Sequence, residues 1–183
     1  MKKIIIAGGA GFIGSHLCDF YLKKKFQVIA IDNLSTGQLS NIQHNFTNKN
    51  FKFINHDITK KIHVKDKVDF ILNFASPASP INFEKFPFET INSITVGTKN
   101  LLDLAFKKKS TILIASTSEV YGNPLVSPQS ENYFGNVNTI SPRAVYDESK
   151  RFSETLTYSY KKNYGLSVRI ARIFNTYGPR MKY

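Results

Sequence analysis

The fold is decided by the stretch Ile4-Ile5-Ile6-Ala7-Gly8-Gly9-Ala10-Gly11-Phe12-Ile13-Gly14. A β-branched run is followed by glycines spaced Gly-x-x-Gly-x-x-Gly, and a helical pattern of apolar residues begins directly after them. Glycine lets the backbone turn tightly and approach a phosphate, and the N-terminus of the next helix points free N–H groups toward it. The stretch therefore predicts a strand–turn–helix unit that binds the pyrophosphate of a dinucleotide; a tight turn without a ligand is the alternative.

Strands and helices alternate along the chain. Apolar runs typical of strands buried on both faces lie at 2–7, 27–32, 51–57, 68–75, 111–117 and 166–173, and helical patterns lie at 12–25, 87–109 and 143–163. Strands separated by helices imply right-handed parallel crossovers. The sequence predicts an α/β fold, a doubly wound parallel sheet of the Rossmann type, as a single dinucleotide-binding domain over 1–183. The long segment 121–142 is a candidate active-site loop.

The composition narrows the class of protein. The 183 residues, 42% of them hydrophobic, can form one full core, and no apolar run reaches the roughly 18 residues of a membrane span. A single cysteine, Cys18, favours a reducing, cytoplasmic setting. The net charge of +12 comes from lysines spread along the chain, with two runs at predicted helix ends, where cations oppose the helix dipole. We therefore expect a solvated basic surface, with attraction of an anionic substrate as the alternative. We expect no nucleic-acid partner and no membrane.

Two aspartates are predicted to lie at the adenosine end of the dinucleotide. Asp32 ends the second predicted strand, 18 residues after Gly14. A carboxylate there accepts hydrogen bonds from ribose hydroxyls and repels a 2′-phosphate, which favours NAD over NADP. Asp57 ends the third predicted strand, and it is either a neighbour of the adenine or a turn aspartate.

A Tyr-x-x-x-Lys pair, Tyr146 and Lys150, lies on the predicted helix 143–163. Residues four apart project from one face of a helix. A free tyrosine has a pKa near ~10, and we expect the ammonium and the positive nicotinamide ring to favour the phenolate. Tyr146 would then take the hydroxyl proton of a substrate alcohol while hydride passes to NAD, and Lys150 would hold the nicotinamide ribose.

Hydroxyl and carboxylate side chains follow the predicted strand 111–117. Because the carboxyl ends of parallel strands carry the site in such folds, Thr117 is predicted to bind the reacting oxygen. Glu119 is either a further acid or base or a carboxylate paired with a lysine. The four histidines show no metal-ligand spacing, so no metal is predicted.

Beyond these residues, five motifs resemble the UDP-glucuronate decarboxylase (UDP-xylose synthase) family of extended short-chain dehydrogenases/reductases. They are Ala-Ser-Pro-Ala-Ser-Pro at 75–80, Ala-Ser-Thr-Ser-Glu-Val-Tyr-Gly at 115–122, Gly-Asn-Val-Asn at 135–138, Pro-Arg-Ala-Val-Tyr-Asp-Glu-Ser-Lys-Arg at 142–151 and Arg-Ile-Phe-Asn-Thr-Tyr-Gly-Pro-Arg at 172–180. The first and fourth distinguish this family from generic epimerases. The resemblance covers nearly the whole chain.

The resemblance implies a three-step reaction on UDP-glucuronate: oxidation at C4 with NAD, loss of carbon dioxide from the 4-keto sugar, and reduction to UDP-xylose. It implies catalytic roles for Tyr146, Lys150, Thr117 and Glu119, the last assisting at C5. Together with the patterns above, it gives a cofactor set of Gly8, Gly11, Phe12, Ile13, Gly14, Asp32, Asn33, Ser35, Thr36, Gly37, Asp57, Ile58, Phe74, Ser76, Ala115, Tyr146 and Lys150. The substrate set is Asn100, Ser118, Asn175 and Thr176.

The resemblance also implies what this chain lacks. Relatives continue beyond position 183 into a part that grips the nucleotide, so the chain looks truncated, with the C-terminal substrate part largely missing. The full-length protein is expected to be a homodimer through its two long helices. Phe83 and Phe134 stand where relatives often have Tyr and Trp.

Two alternatives stay open for the function. One is an enzyme similar to dTDP-glucose 4,6-dehydratase. Ser118 argues against it, because eliminating water needs an acid there. The other is a catalytically idle NAD-binding fragment.

Overall fold

The computed structural model describes residues 1–181, and it confirms the predicted α/β fold. Within these residues six parallel strands form one sheet in the order β3-β2-β1-β4-β5-β6. The strands are β1 (Lys3–Ala7), β2 (Gln27–Asp32), β3 (Phe51–Asn55), β4 (Phe70–Asn73), β5 (Thr111–Thr117) and β6 (Val168–Ile173). The α-helices are α1 (Phe12–Lys23), α2 (Pro80–Lys85), α3 (Pro87–Asn92), α4 (Thr98–Lys108) and α5 (Ala144–Tyr164).

Both faces of the four central strands, β2, β1, β4 and β5, are buried, which explains why these strands show no polar alternation. Successive side chains of a strand point to opposite faces. In β1, Ile5 packs in the same core cluster as Leu101 of α4 and Tyr160 of α5, whereas Ile4 belongs to a second cluster with Cys18 of α1. Helices therefore cover both faces, as in a doubly wound sheet.

Several boundaries differ from the sequence-based expectation: β4 and β6 begin two residues later than expected, and three elements end two residues early. The first helix ends at Lys23, and Lys25 has a φ of 61°, which a helix cannot continue. The third strand stops before Asp57, whose Oδ1 accepts the Thr59 N–H at 2.8 Å, and the fourth stops at Asn73, whose Oδ1 accepts the Ala75 N–H at 3.2 Å. Such side-chain turns compete with the sheet for the backbone N–H.

The predicted helix 87–109 is divided. A π turn, Ser93–Gly97, separates α3 from α4. Gly97 in this turn lies so close to Ile58 that a Cβ would overlap the isoleucine side chain. The short helix α2 was not predicted.

The strand order reverses between β1 and β4, and this places the carboxyl ends of both strands beside an open crevice. In open α/β sheets ligands bind at such a switch point. No helix within residues 1–181 is sufficiently long and apolar to span a membrane.

Candidate active site

A cavity of about 660 Å³ lies at this switch point. Of the predicted site residues, those that line it are Gly8, Gly11, Phe12, Ile13, Gly14, Asp32, Asn33, Ser35, Thr36, Asp57, Ile58, Phe74, Ser76, Ala115, Thr117, Tyr146, Lys150, Asn175 and Thr176. Their position in one cavity is a finding, whereas their individual roles toward a ligand stay predictions.

The glycine turn fits the backbone of a dinucleotide. Gly8 has a φ of 78°, and a Cβ on it would lie 2.6 Å from the carbonyl carbon of Phe74. A Cβ on Gly14 would overlap the carbonyl oxygen of Gly8. No side chain in the described part of the chain caps the N-terminus of α1, which begins at Phe12. The first-turn N–H groups thus remain available for an anionic pyrophosphate at the cavity wall.

Asp32 is held at the end of β2 with both oxygens fixed. Its Oδ2 accepts the Ala10 N–H at 2.9 Å and its Oδ1 accepts the Leu34 N–H at 2.8 Å. Burial raises the pKa of this carboxyl above its ordinary value, against the effect of the backbone donors. Each oxygen keeps acceptor capacity for a ribose hydroxyl. Gly37 does not line the cavity; a Cβ there would lie 2.9 Å from both carboxylate oxygens, so its contact is with Asp32.

Tyr146 and Lys150 project from one face of α5 into the cavity, as their spacing predicts. The Tyr146 ring stacks on Phe83 with 5.2 Å between centroids. The Lys150 Nζ lies 5.5 Å from the centroid of the Tyr146 ring and donates to the Ala115 carbonyl at 2.8 Å. Both side chains are buried.

Burial dominates the ionisation of this pair. It raises the pKa of Tyr146 to about 12, although a hydrogen bond with Thr117 acts in the opposite direction. It lowers the pKa of Lys150 to about 8, and the Glu154 carboxylate opposes that change. The expected phenolate is therefore not favoured by the chain's own residues, because lost hydration outweighs them.

Besides Gly37, three predicted residues lie outside the cavity lining. Glu119 pairs with Arg143, immediately before α5, so the expected partner cation is an arginine and not a lysine. Asn100 donates to the Ile58 carbonyl at 2.8 Å, which fixes the loop after β3. Ser118 begins the 3-10 turn that follows β5.

Among the cavity-lining residues that sequence reasoning did not assign to the site, His56 and Arg180 each have a buried polar atom that faces no partner in the described residues. These atoms are the His56 Nε2 and the Arg180 Nη1. His56 directly precedes the predicted Asp57, and this adjacency was an available signal. For Arg180 the sequence offered no signal beyond the motif at 172–180, because the position of this side chain depends on contacts with residues far away in sequence.

Asp147, next to Tyr146, is a buried carboxylate with an unsatisfied atom. It is 4% exposed, and its Oδ1 has no hydrogen-bond partner in the described part of the chain. Burial, followed by the charge of Glu119, raises the pKa of Asp147 to about 6. Ionised Asp147 therefore opposes folding at neutral pH.

We expect Asp147→Asn to stabilise the protein at pH 7.5 by about 1 kcal/mol, or about 3 °C in Tm. Because the pKa of Asp147 is higher in the folded chain than the ordinary ~3.9, the folded state binds protons more tightly, and the free energy of unfolding falls as pH rises from about 4 to about 6. The asparagine variant lacks this fall. Thermal melts between pH 4 and pH 8 measure it.

The control for this prediction is Glu148→Gln, which removes the neighbouring carboxylate that pairs with Arg151 at 3.7 Å. Its Tm is expected to change little, since pairs of this kind contribute about 0–1 kcal/mol. Identical pH profiles for Asp147→Asn and the unmodified chain would contradict the prediction.

The chain is similar to nucleotide-sugar enzymes. Residues 5–183 match the family GDP-mannose 4,6 dehydratase. The chain is 51% identical over 180 residues to UDP-glucuronic acid decarboxylase 1 of Xenopus tropicalis, covering 98% of this chain and 42% of that protein. It is 49% identical to UDP-glucuronic acid decarboxylase 6 of Arabidopsis thaliana, covering 98% of this chain and 52% of that protein. The predicted resemblance to these decarboxylases is confirmed.

Solved structures agree with the fold. The dTDP-glucose 4,6-dehydratase DesIV of Streptomyces venezuelae, with NAD and TYD bound, superposes with a TM-score of 0.85 at 28% identity, covering 98% of this chain and 57% of DesIV. The chain spans about half the length of the relatives it matches.

Proposed function

The chain belongs to the GDP-mannose 4,6 dehydratase family, and from that premise we propose that the complete protein is an NAD-dependent decarboxylase that converts UDP-glucuronate to UDP-xylose and carbon dioxide. The observation that carries the proposal is the grouping of Thr117, Tyr146 and Lys150 in one cavity with the glycine turn. The 51% identity to a UDP-glucuronic acid decarboxylase supports this substrate over other nucleotide sugars.

The residues of the cavity suit NAD. NAD, when bound, supplies a reversible acceptor for hydride from the substrate. The N–H groups at the start of α1 would hold its pyrophosphate, and Asp32 would accept hydrogen bonds from the adenosine ribose. Lys150 would hold the nicotinamide ribose and place a positive charge beside Tyr146. That charge and the cationic ring together oppose the effect of burial on the phenol.

Tyr146 and Thr117 act on the C4 oxygen of the sugar. The Tyr146 Oη takes the C4 hydroxyl proton during oxidation and returns it in the final step. The Thr117 hydroxyl, which lines the same cavity and accepts the Glu119 N–H at 3.2 Å, would donate to the same oxygen. Since C4 becomes a ketone, the C5 carboxylate becomes a β-keto acid. Its C5–C6 bond breaks, the electron pair moves to the ketone oxygen as an enolate, and C5 then takes up a proton.

Glu119 keeps its predicted role at C5 only if it exchanges its Arg143 partner for the sugar. The ion pair therefore makes this role conditional on a rearrangement of the segment before α5.

The proposal is tested by incubating the full-length protein with UDP-glucuronate and a small fraction of an equivalent of NAD. We expect UDP-xylose and carbon dioxide in equal amounts over many turnovers, and no water loss from dTDP-glucose. Folded protein that binds NAD yet forms neither product would refute the decarboxylase and leave an idle NAD-binding unit. Water loss from dTDP-glucose would identify the dehydratase alternative.

The complete protein is proposed to be a cytoplasmic homodimer. Exposed aromatic side chains on α4 and α5, among them Phe106 and Phe152, support an interface there. The buried, unpaired Cys18 supports a reducing compartment. Light scattering that finds only monomer would contradict the dimer.

A further inference from the structure

The segment that follows β6 returns along α1 and ends with a cation at the cavity. The His16 Nε2 and the Pro179 carbonyl oxygen are 2.9 Å apart. Gly178 lies against the Phe12 ring, because a Cβ on it would be 3.4 Å from the ring edge. Phe12 is the first residue of α1, so this contact puts the segment beside the helix turn that faces the cavity. Arg180 has a φ of 71°, a backbone conformation that is uncommon for a non-glycine residue.

An ion pair with Asp19 fixes one end of the Arg180 guanidinium. Its Nη2 donates to the Asp19 Oδ2 at 2.7 Å. The Oδ1 of Asp19 accepts from the Asn45 Nδ2 at 2.6 Å and lies 2.8 Å from the His44 Nε2. Asp19 is therefore held from two directions, and it fixes the plane of the arginine.

The other end of the guanidinium has no partner within residues 1–181. The Arg180 Nη1 is buried, lines the cavity and makes no hydrogen bond to any residue of 1–181. A buried donor without an acceptor destabilises the folded state, and a charged donor does so more strongly. An anionic acceptor in the cavity would remove this cost, and the uncapped first turn of α1 favours an anion in the same space.

We infer that Arg180 is a binding residue for the diphosphate of the dinucleotide: Asp19 orients its guanidinium, and Nη1 donates to a phosphate oxygen. The inference rests on the proposed function, because it requires a dinucleotide in this cavity. It adds a charged side chain to a diphosphate site otherwise made of backbone N–H groups. It also links cofactor binding to the segment that carries Asn175 and Thr176.

The test compares ligands that differ in the diphosphate. Dissociation constants for NAD and ADP are measured by calorimetry, and adenosine is measured by competition. Arg180→Gln is expected to raise the dissociation constants of NAD and ADP by the same factor, about 10- to 100-fold. The dissociation constant of adenosine should stay unchanged. Arg180→Lys keeps the positive charge but lacks the planar guanidinium with its several N–H donors. It is expected to weaken the binding of NAD and ADP by a smaller factor.

The matched control is Arg169→Gln, an exposed arginine on β6 whose guanidinium bonds only the adjacent Val168 carbonyl among the described residues. All three affinities should stay as in the unmodified protein. If Arg180→Gln does not fold, the lysine variant carries the comparison.

Three outcomes would overturn the inference. Unchanged NAD affinity in both Arg180 variants would show that the side chain does not touch the ligand. An equal loss for adenosine and ADP would show that the variant acts through the fold. An unmodified protein that binds none of the three ligands would overturn the proposed function and this inference with it, whereas the first two results leave the proposed function intact.

Discussion

Tyr146→Phe is expected to lower the turnover of UDP-glucuronate about 10²- to 10⁴-fold while NAD still binds. The phenylalanine ring keeps the stack on Phe83 and fills the same buried space. What is lost is the hydroxyl that moves the C4 proton, together with its interaction with the nearby Thr117 side chain. The loss should therefore appear in kcat, with a change in Tm of only a few degrees, because one net hydrogen bond contributes about 1 kcal/mol.

The measurement is the rate of UDP-xylose formation by the full-length protein, with NAD binding followed separately. Tyr158→Phe is the matched control, since Tyr158 lies on the same helix and is 59% exposed. It should leave turnover unchanged. Normal turnover in Tyr146→Phe would exclude Tyr146 as the base.

Gly14→Ala is expected to weaken NAD binding about 100-fold and to lower the free energy of unfolding by about 1–3 kcal/mol. The new Cβ would overlap the Gly8 carbonyl oxygen, which also accepts the Gly11 N–H at 3.1 Å. The start of α1 must then move away from the turn. The N–H groups that face the pyrophosphate move with it, so affinity falls more than stability alone would explain.

Gly165→Ala separates the two effects. Gly165 has a φ of 65°, so an alanine there would have a strained backbone. Its added Cβ would have no described residue within 4 Å, so it would disturb no packing contact. We expect a loss of stability of about 1–2 kcal/mol with no change in NAD affinity, measured by denaturant unfolding and calorimetry. Unaltered NAD affinity in Gly14→Ala would contradict the role given to the glycine turn.

The parts of the site that the sequence predicts well are those set by local chemistry. The β1–turn–α1 unit follows from glycine spacing and strand pattern, and the Tyr146–Lys150 pair follows from one helical turn. The position of Thr117 follows from its place at the end of a buried strand, and the structure brings all three to one cavity.

The parts that the sequence did not predict depend on contacts between distant residues. Glu119 meets Arg143 across 24 positions, and Asn100 meets the Ile58 carbonyl across 42. Nothing local distinguishes such a carboxylate or amide from one that faces a ligand. The same is true of Arg180, which is fixed by Asp19 from 161 positions away.

The ionisation of Tyr146 likewise depends on burial that spacing does not reveal. Lys150 lies one helical turn away, as predicted, yet desolvation raises the pKa of the phenol to about 12. Because Tyr146 and Lys150 are both buried, the proposed reaction would depend largely on the positive charge of the nicotinamide ring to lower the pKa of the phenol.

The proposed reaction returns to C4 the same hydrogen that it removes, and this is directly measurable. UDP-glucuronate carrying deuterium at C4 is converted in ordinary water with a small fraction of an equivalent of NAD, and the product is examined by NMR. The account predicts UDP-xylose that retains deuterium at C4 in every turnover. UDP-xylose with ordinary hydrogen at C4, or no UDP-xylose from protein that binds NAD, would contradict it.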